Sequence, residues 1–293
     1  MKSWKIGAVT VTRIVERDLM GLLNKVIPEA TLDAIRPLPW LFPHFVDEAG
    51  ELIGFTQAFV LQTPSRRIIV DTCIGNDKNF DVFRRSWSRL QTTFLSQLSE
   101  AGFPRERIDT VLCTHLHADH IGWNTMLVEN KWAPTFPNAS YLFGRLEYQA
   151  MQARDRDATF DDPRAKGMRI VAAESLTPLL DAGLVDFVET DHVVCDEVRL
   201  IPSQGHTEGH VSVRISSNGE EALITGDFIH HPCQLAHPEW ASPVDHDQSQ
   251  STATRRRLFA ELAGTSTLVI GSHFADPTAG RIVRDSGTYR LDL

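Results

Sequence analysis

The stretch Thr-His-Leu-His-Ala-Asp-His-Ile-Gly at residues 114–122 decides the fold of this 293-residue chain. It directly follows a strand-like apolar run and places His115, His117, Asp119 and His120 side by side, although the chain has only 12 histidines. On a loop that leaves a strand these side chains can converge, whereas within a strand neighbours point to opposite faces. Neutral imidazole and carboxylate are the ligands of Zn²⁺ and similar divalent metals. The stretch therefore predicts a metal site.

Further candidate ligands follow other predicted strands. His206 and His210 lie in the stretch Gly-His-Thr-Glu-Gly-His, Asp227 follows the run Ala-Leu-Ile-Thr-Gly, and His273 follows Leu-Val-Ile-Gly-Ser. Each of them alone fits a turn residue or a buried histidine. Strand ends that meet at one edge of a sheet are where active-site groups gather, so together with the first stretch they predict one common site.

The order of these motifs, over roughly residues 60–275, resembles the metallo-β-lactamase-fold metallohydrolases. The resemblance is nearest to the cytoplasmic lactonases and ester hydrolases of that superfamily. It implies an α/β fold, a four-layer αββα sandwich, with a dinuclear metal site at one edge of the sheets. Position by position, it assigns His115, His117 and His206 to the first metal, Asp119, His120 and His273 to the second, Asp227 as the bridge between them, and His210 as a supporting residue that does not bind metal.

The same resemblance implies the chemistry. A water held between two divalent cations loses a proton near neutral pH and becomes a bridging hydroxide nucleophile, while the metals polarise a carbonyl oxygen. Asp119 is the predicted catalytic residue, because its carboxylate can orient the nucleophile or carry a proton to the leaving alkoxide. We therefore expect two divalent metals per chain, with zinc as the expected metal, and cleavage of a lactone or ester bond.

Several other members of the superfamily fit the chain less well. A glyoxalase II ends in a helical region, but only twenty residues follow His273. Flavodiiron proteins carry Glu where His117 stands, and secreted β-lactamases carry a signal peptide. RNA-processing members would show more basic surface than a net charge of −9 offers. The alternatives that stay open are a persulfide dioxygenase with a single iron, which shares an HxHADH run, and a phosphoester or thioester hydrolase.

Two features bear on the substrate. Residues 17–50 combine apolar bulk with several prolines, which predicts a segment that covers the pocket, with Trp40, Phe42 and Phe45 as substrate contacts. The alternative is that these side chains belong to the core. Acyl-homoserine-lactone lactonases place a Tyr three residues after the bridging Asp, and this chain has His230 there. An imidazole at that position can also donate a hydrogen bond to a substrate carbonyl.

Composition sets the class of protein. The hydrophobic share of 42% and the charged share of 23% are those of a globular protein, and the length suits a single domain over 1–293. An N-terminus without a signal peptide and an absence of apolar runs of ~18 residues predict a cytoplasmic protein outside the membrane. The triplet 255–257, Arg-Arg-Arg, is the main cationic cluster, and its helical context predicts a solvated face and no nucleic-acid partner. We expect a small-molecule substrate, and a homodimer is compatible with the sequence.

Local patterns predict the elements around these motifs. Alternating polarity over residues 4–16 predicts a strand, and apolar residues at helical spacing predict a helix over about 88–102. Residues 145–181 carry enough helix formers for two helices, and a further helix is predicted near 249–262.

Overall fold

The computed structural model describes residues 2–82, 84–159 and 161–293. The chain divides into two compact units, Met1–Glu16 with Gln57–Glu189 and Arg17–Thr56 with Thr190–Leu293. The single domain over 1–293 stays a prediction.

Among the described residues, the strands form two sheets of seven and one hairpin. In chain order they are β1 Ser3–Ile6, β2 Val9–Asp18, β3 Phe55–Gln62, β4 Arg67–Val70, β5 Thr110–Leu112, β6 Thr125–Val128, β7 Lys131–Pro134, β8 Ser140–Gly144, β9 Val185–Val188, β10 Val193–Cys195, β11 Val198–Pro202, β12 Val211–Ser217, β13 Glu220–Ile224, β14 Leu268–Ile270, β15 Ala279–Asp285 and β16 Thr288–Asp292.

The helices are mostly short. They are α1 Leu23–Val26, α2 Leu32–Ile35, α3 Phe94–Glu100, α4 Arg145–Asp157, α5 Pro163–Ser175, α6 Thr177–Asp181, α7 Cys233–Ala236 and α8 Gln248–Leu262. Short 3₁₀ turns occur at Pro39–Leu41, Arg85–Trp87, Arg105–Arg107, Gly122–Asn124 and Gly226–Phe228. Within the described ranges, no helix has both the length and the apolar character that crossing a bilayer requires.

The first unit is built on a sheet with the strand order β1-β2-β3-β4-β5-β8-β9. Strands β4, β5, β8 and β9 run parallel, with Ile69 opposite Val111 and Val111 opposite Tyr141. All three of these side chains are fully buried, as expected for strands with both faces covered. Because parallel strands end at the same edge, the loops that leave β4, β5 and β8 lie close together.

The second unit is built on a sheet with the strand order β10-β11-β12-β13-β14-β15-β16. Its only parallel neighbours among the described strands are β13 and β14, with Leu223 opposite Val269. Every other pair is antiparallel, so β11, β13 and β14 end at one edge and β12 begins there. That edge carries His206, Asp227 and His273 in the loops that follow the three strands.

Three element predictions were wrong in their boundaries. The single strand over 4–16 is a hairpin of β1 and β2, because Gly7 turns the chain with a φ of 57°. The helix over 88–102 is confined to α3, since Asn76 holds Thr92 outside it: Thr92 N donates to Asn76 Oδ1 over 2.7 Å. The described part of residues 145–181 contains three helices, and the last starts with Pro178 in its first turn, where the missing N–H costs nothing.

Helix α8 confirms the helix predicted near 249–262, but one of its arginines corrects the prediction of a solvated face. Arg256 and Arg257 are exposed, whereas Arg255 is fully buried. Arg255 Nε donates to the carbonyl of Pro238 over 2.7 Å, and its Nη1 donates to Ser251 Oγ over 2.8 Å. A cation this deep is tolerated because its donors are occupied by protein acceptors.

Residues 17–56 belong to the second unit, where several of their apolar side chains are part of the core. Leu23, Leu41 and Phe45 are almost wholly buried. The Phe45 ring meets the rings of His231 and Phe274 edge to face, with centroids 6.2 and 6.3 Å away. His231 Nε2–H donates to the Phe45 carbonyl over 2.8 Å. The segment therefore stabilises its unit, and its role in covering a pocket stays a prediction.

We expect Phe45→Ala to lower the free energy of unfolding by about 3–5 kcal/mol, because it leaves a cavity beside two aromatic rings. Urea unfolding followed by circular dichroism measures this difference. Met20→Ala is the matched control, since Met20 lies in the same segment with 58% of its surface exposed, and it should change stability by less than about 0.5 kcal/mol. A loss for Phe45→Ala as small as that expected for Met20→Ala would show that Phe45 is not packed in the core.

Candidate metal centre

In the first unit, the loop after β5 gathers three histidines and a carboxylate. The His115 ring lies 4.6 Å from the His117 ring and 4.1 Å from the His120 ring, measured between centroids. His115 and His120 are buried, whereas Asp119 keeps 18% of its side chain exposed. Asp119 Oδ2 lies 4.0 Å from His120 Nε2. The loop thus converges its side chains on one place, as its sequence predicts.

Asp71, which the sequence analysis did not single out, holds this loop. It follows β4 with a φ of 57°, a conformation rare outside glycine. Its Oδ1 accepts from the backbone N–H of Thr114 over 2.8 Å, and its Oδ2 accepts from Thr114 Oγ1 over 3.0 Å and from His120 Nδ1 over 2.9 Å. An acidic residue directly after a buried strand, parallel to the histidine-bearing one, is the signal that could have identified it.

In the second unit, Asp227 is the centre of a second cluster. Its Oδ1 lies 3.2 Å from His273 Nε2. Its Oδ2 lies 3.6 Å from His206 Nε2 and 3.5 Å from His230 Nε2. All four side chains are buried. A carboxylate with imidazole nitrogens around both oxygens is a donor set suited to divalent metals.

Hydrogen bonds fix the ring nitrogens of the candidate ligands. His206 Nδ1–H donates to Asp245 Oδ1 over 2.8 Å, and His273 Nδ1–H donates to the Phe55 carbonyl over 2.9 Å. His120 is oriented in the same way by Asp71. In each case the Nε2 lone pair is left to face the acidic residues, which is the tautomer that binds a metal. The residues present therefore fit divalent metal ions.

His210 contacts the backbone of Asp227. Its Nε2 accepts from the Asp227 N–H over 2.7 Å, and its Nδ1 lies 3.0 Å from the Ser203 carbonyl. Gly226 has a φ of 56°, and a Cβ there would lie 2.6 Å from His210 Nε2. A glycine is thus required at this position, and His210 holds the Asp227 backbone in place.

His230 differs from its neighbours because neither ring nitrogen has a hydrogen-bond partner among the described residues. Burial lowers the pKa of His230 to about 4, although the nearby Asp227 carboxylate acts in the opposite direction. The imidazole is therefore neutral near pH 7, with one N–H and one lone pair. A buried polar group of this kind is costly unless a ligand or metal satisfies it.

The other predicted substrate contacts lie in the segment 17–56. Trp40 and Phe42 are half-buried at the 3₁₀ turn Pro39–Leu41, and Phe45 is fully buried.

Asp245 is a further residue that the sequence analysis missed. It lies in an irregular stretch with no periodicity, so only its contact with His206 identifies it.

Comparison with known proteins decides the family. Residues 53–273, more than half of the chain, match the family model described as the metallo-beta-lactamase superfamily. The chain belongs to this superfamily. The predicted fold class, the αββα sandwich of the metallo-β-lactamase fold, is therefore confirmed, and so is the predicted resemblance. The protein is therefore an enzyme of this superfamily, whose members typically bind metal ions.

Among curated proteins, the chain is 24% identical over 169 residues to an N-acyl homoserine lactonase of Bacillus cereus. That match covers 54% of this chain and only 57% of the relative's length. Among solved structures, it is similar to a dizinc quorum-quenching lactonase, AidC, with a TM-score of 0.77 and 20% identity over 99% of this chain and 96% of that one. The hydrolase AbOPH gives a TM-score of 0.80 and 21% identity over the same shares of both chains. At these identities the likeness shows the fold.

Proposed function

We propose that this member of the metallo-β-lactamase superfamily is a hydrolase of lactones or related esters that uses two divalent metals, with zinc as the expected metal. The observation that carries the proposal is the orientation of the histidines. His120, His206 and His273 each engage Nδ1 with a protein acceptor, which leaves Nε2 as a metal donor. The named activities of the relatives, lactonases above all, support the substrate class.

The proposed ligand set is the one that the resemblance implies. The proposed ligands are His115, His117 and His206 for one metal, Asp119, His120 and His273 for the other, and Asp227 between them. Seven ligand-type residues are more than one tetrahedral site can use, which supports two metals.

When bound, the metals would supply Lewis acidity for the substrate carbonyl and lower the pKa of the attacking water. The chain supplies the proton transfer. Asp119 is the carboxylate of the first-unit cluster and keeps 18% of its side chain exposed, so one of its oxygens can take up the proton that the water loses. It then delivers this proton to the alkoxide oxygen that leaves when the ring C–O bond breaks. The water oxygen forms the new bond to the carbonyl carbon as the ring C–O bond breaks, so the first products are a hydroxyl group and a carboxylic acid, and the acid then loses its proton to solvent.

The remaining residues bind the substrate. Neutral His230 can donate its N–H to the carbonyl oxygen, where negative charge develops in the transition state. Trp40 and Phe42 retain exposed surface for an apolar wall, and Phe45 supports that wall from the core. Excluding water from an ester in such a pocket strengthens the electrostatic interactions around it. The proposal also includes a cytoplasmic location and a small-molecule substrate.

Metal analysis tests the proposal. We expect protein purified without chelators or nickel affinity to contain about two divalent metals per chain, mainly zinc, by mass spectrometry. In a screen of lactones, aryl esters, phosphotriesters, β-lactams and glutathione thioesters, lactones or esters should react fastest, and chelation should abolish the reaction. A single iron with no hydrolysis would favour the persulfide dioxygenase. If the protein holds two metals but cleaves phosphotriesters or thioesters faster than lactones or esters, the dinuclear hydrolase stands and only the proposed substrate class is wrong.

A further inference from the structure

Asp245 is a buried carboxylate that contacts His206, a member of the second-unit cluster, at its Nδ1 atom. Its side chain is fully buried. Its Oδ1 accepts from His206 Nδ1 over 2.8 Å, and its Oδ2 accepts from the backbone N–H of Ser242 over 3.0 Å. A backbone hydrogen bond also holds the Asp245 loop against His206, since His246 N–H donates to the His206 carbonyl over 2.9 Å. Asp245 thus touches His206 on the side opposite to Asp227.

Arg255 supplies a positive charge to this carboxylate. Its Nη1 lies 3.8 Å from Asp245 Oδ2, and both side chains are fully buried. The same guanidinium donates to the Phe228 carbonyl over 3.3 Å and to Ser251 Oγ over 2.8 Å. Phe228 directly follows Asp227, so Arg255 contacts the backbone next to one candidate ligand and the carboxylate that orients another.

Charge and hydrogen bonding keep Asp245 ionised. Its two oxygens accept from His206 Nδ1–H and from Ser242 N–H, and the Arg255 guanidinium lies 3.8 Å from Oδ2. An ionised carboxylate this deep is stable only when paired and hydrogen-bonded. Helix α8 supplies the pairing through Arg255.

We propose that Asp245 is a positioning residue that fixes His206 as the Nδ1–H tautomer for metal binding, and that Arg255 is its buried counter-charge. The inference rests on the proposed function, because it assigns His206 to a metal. Both carboxylate oxygens are required as acceptors, since one faces His206 Nδ1–H and the other faces Ser242 N–H. An asparagine accepts at only one end, so its amide would oppose one of these two N–H groups.

The tautomer of His206 is measurable without metal or substrate. In metal-free wild-type protein with ¹⁵N-labelled histidine, NMR should show His206 protonated at Nδ1 and unprotonated at Nε2, the signal being assigned by its loss in His206→Gln. Asp245→Asn should shift His206 toward the other tautomer. A wild-type His206 protonated at Nε2 would overturn the proposal, and this measurement does not depend on the folding of any Asp245 variant.

Zinc titration against a chromophoric chelator provides the second readout. Wild type should bind two Zn²⁺, and Asp245→Asn should bind one of them about 10–100-fold more weakly, as for other residues that orient a metal-bound histidine. Unchanged affinity at both sites in the folded variant would refute the role of Asp245. Fewer than two Zn²⁺ in wild type, with the His206 tautomer as expected, would instead count against the proposed function.

Two neighbouring arginines provide a matched pair for the counter-charge. Arg255→Met should weaken the same Zn²⁺ site, whereas Arg256→Met, which changes an exposed side chain one residue away, should leave both sites as in wild type. The unfolding of the metal-free variants is measured alongside. If Arg255→Met lowered only the stability and left both zinc affinities unchanged, Arg255 would be excluded as the counter-charge.

Discussion

Asp119→Asn is expected to fold and retain most of its metal but to lower turnover by at least ~10²-fold, the scale of a lost acid–base group. The amide oxygen can still face a metal, but the amide carries no charge and accepts no proton at neutral pH. The effect should therefore fall on kcat more than on KM. Steady-state kinetics with the best substrate from the screen measures kcat and KM separately for the metal-saturated protein.

His210→Ala is the control for this experiment, because His210 bonds to the backbone of Asp227 and not to the reacting groups. Its activity should fall through misplacement of Asp227 and recover in part with excess metal. The Asp119→Asn variant should not recover. Near wild-type turnover of metal-saturated Asp119→Asn would remove Asp119 from the proton transfer and leave it at most a ligand.

The fold and much of the candidate site could be predicted because the informative residues are local in sequence. The stretch 114–122 carries its ligands within one loop, and His206, Asp227 and His273 each follow an apolar strand. A strand followed by a polar residue is visible without any knowledge of tertiary contacts. Such a pattern predicts which residues stand at a sheet edge, since strand ends determine that edge.

What could not be predicted depends on contacts distant in sequence. Asp245 meets His206 across 39 residues of chain, and Arg255 is buried because the acceptors around it come from several loops. Neither feature has a period or a motif. The solvated face predicted for the triplet 255–257 failed for this reason: helical periodicity describes a helix surface but does not show that a partner carboxylate lies beneath it.

The segment 17–56 illustrates the same limit. Its apolar composition was compatible with a pocket cover and with a core, and only tertiary contacts separate the two. Phe45 and Leu41 are buried in the second unit, and the segment also reaches a candidate ligand, since the Phe55 carbonyl accepts from His273 Nδ1. Changes in this segment should thus affect both stability and the orientation of His273.

His230→Phe is the second substitution for which we expect a large effect, a loss of kcat/KM of about 10²–10³-fold, the range seen when one donor to a developing oxyanion is removed. Phenylalanine fills similar space but has no N–H. Because His230 is neutral and its ring nitrogens have no hydrogen-bond partner among the described residues, its removal leaves no protein group unsatisfied, and the fold should persist.

His230→Tyr is the matched variant, because a phenol restores a hydrogen-bond donor at the position where the acyl-homoserine-lactone lactonases carry Tyr. It should recover part of the activity that His230→Phe loses, with the zinc content of both variants equal to that of wild type. Loss of one zinc in both variants would show that His230 is a ligand and not a donor to the substrate. Full activity of His230→Phe would exclude either role, since a side chain that contacts neither metal nor carbonyl can be replaced without consequence.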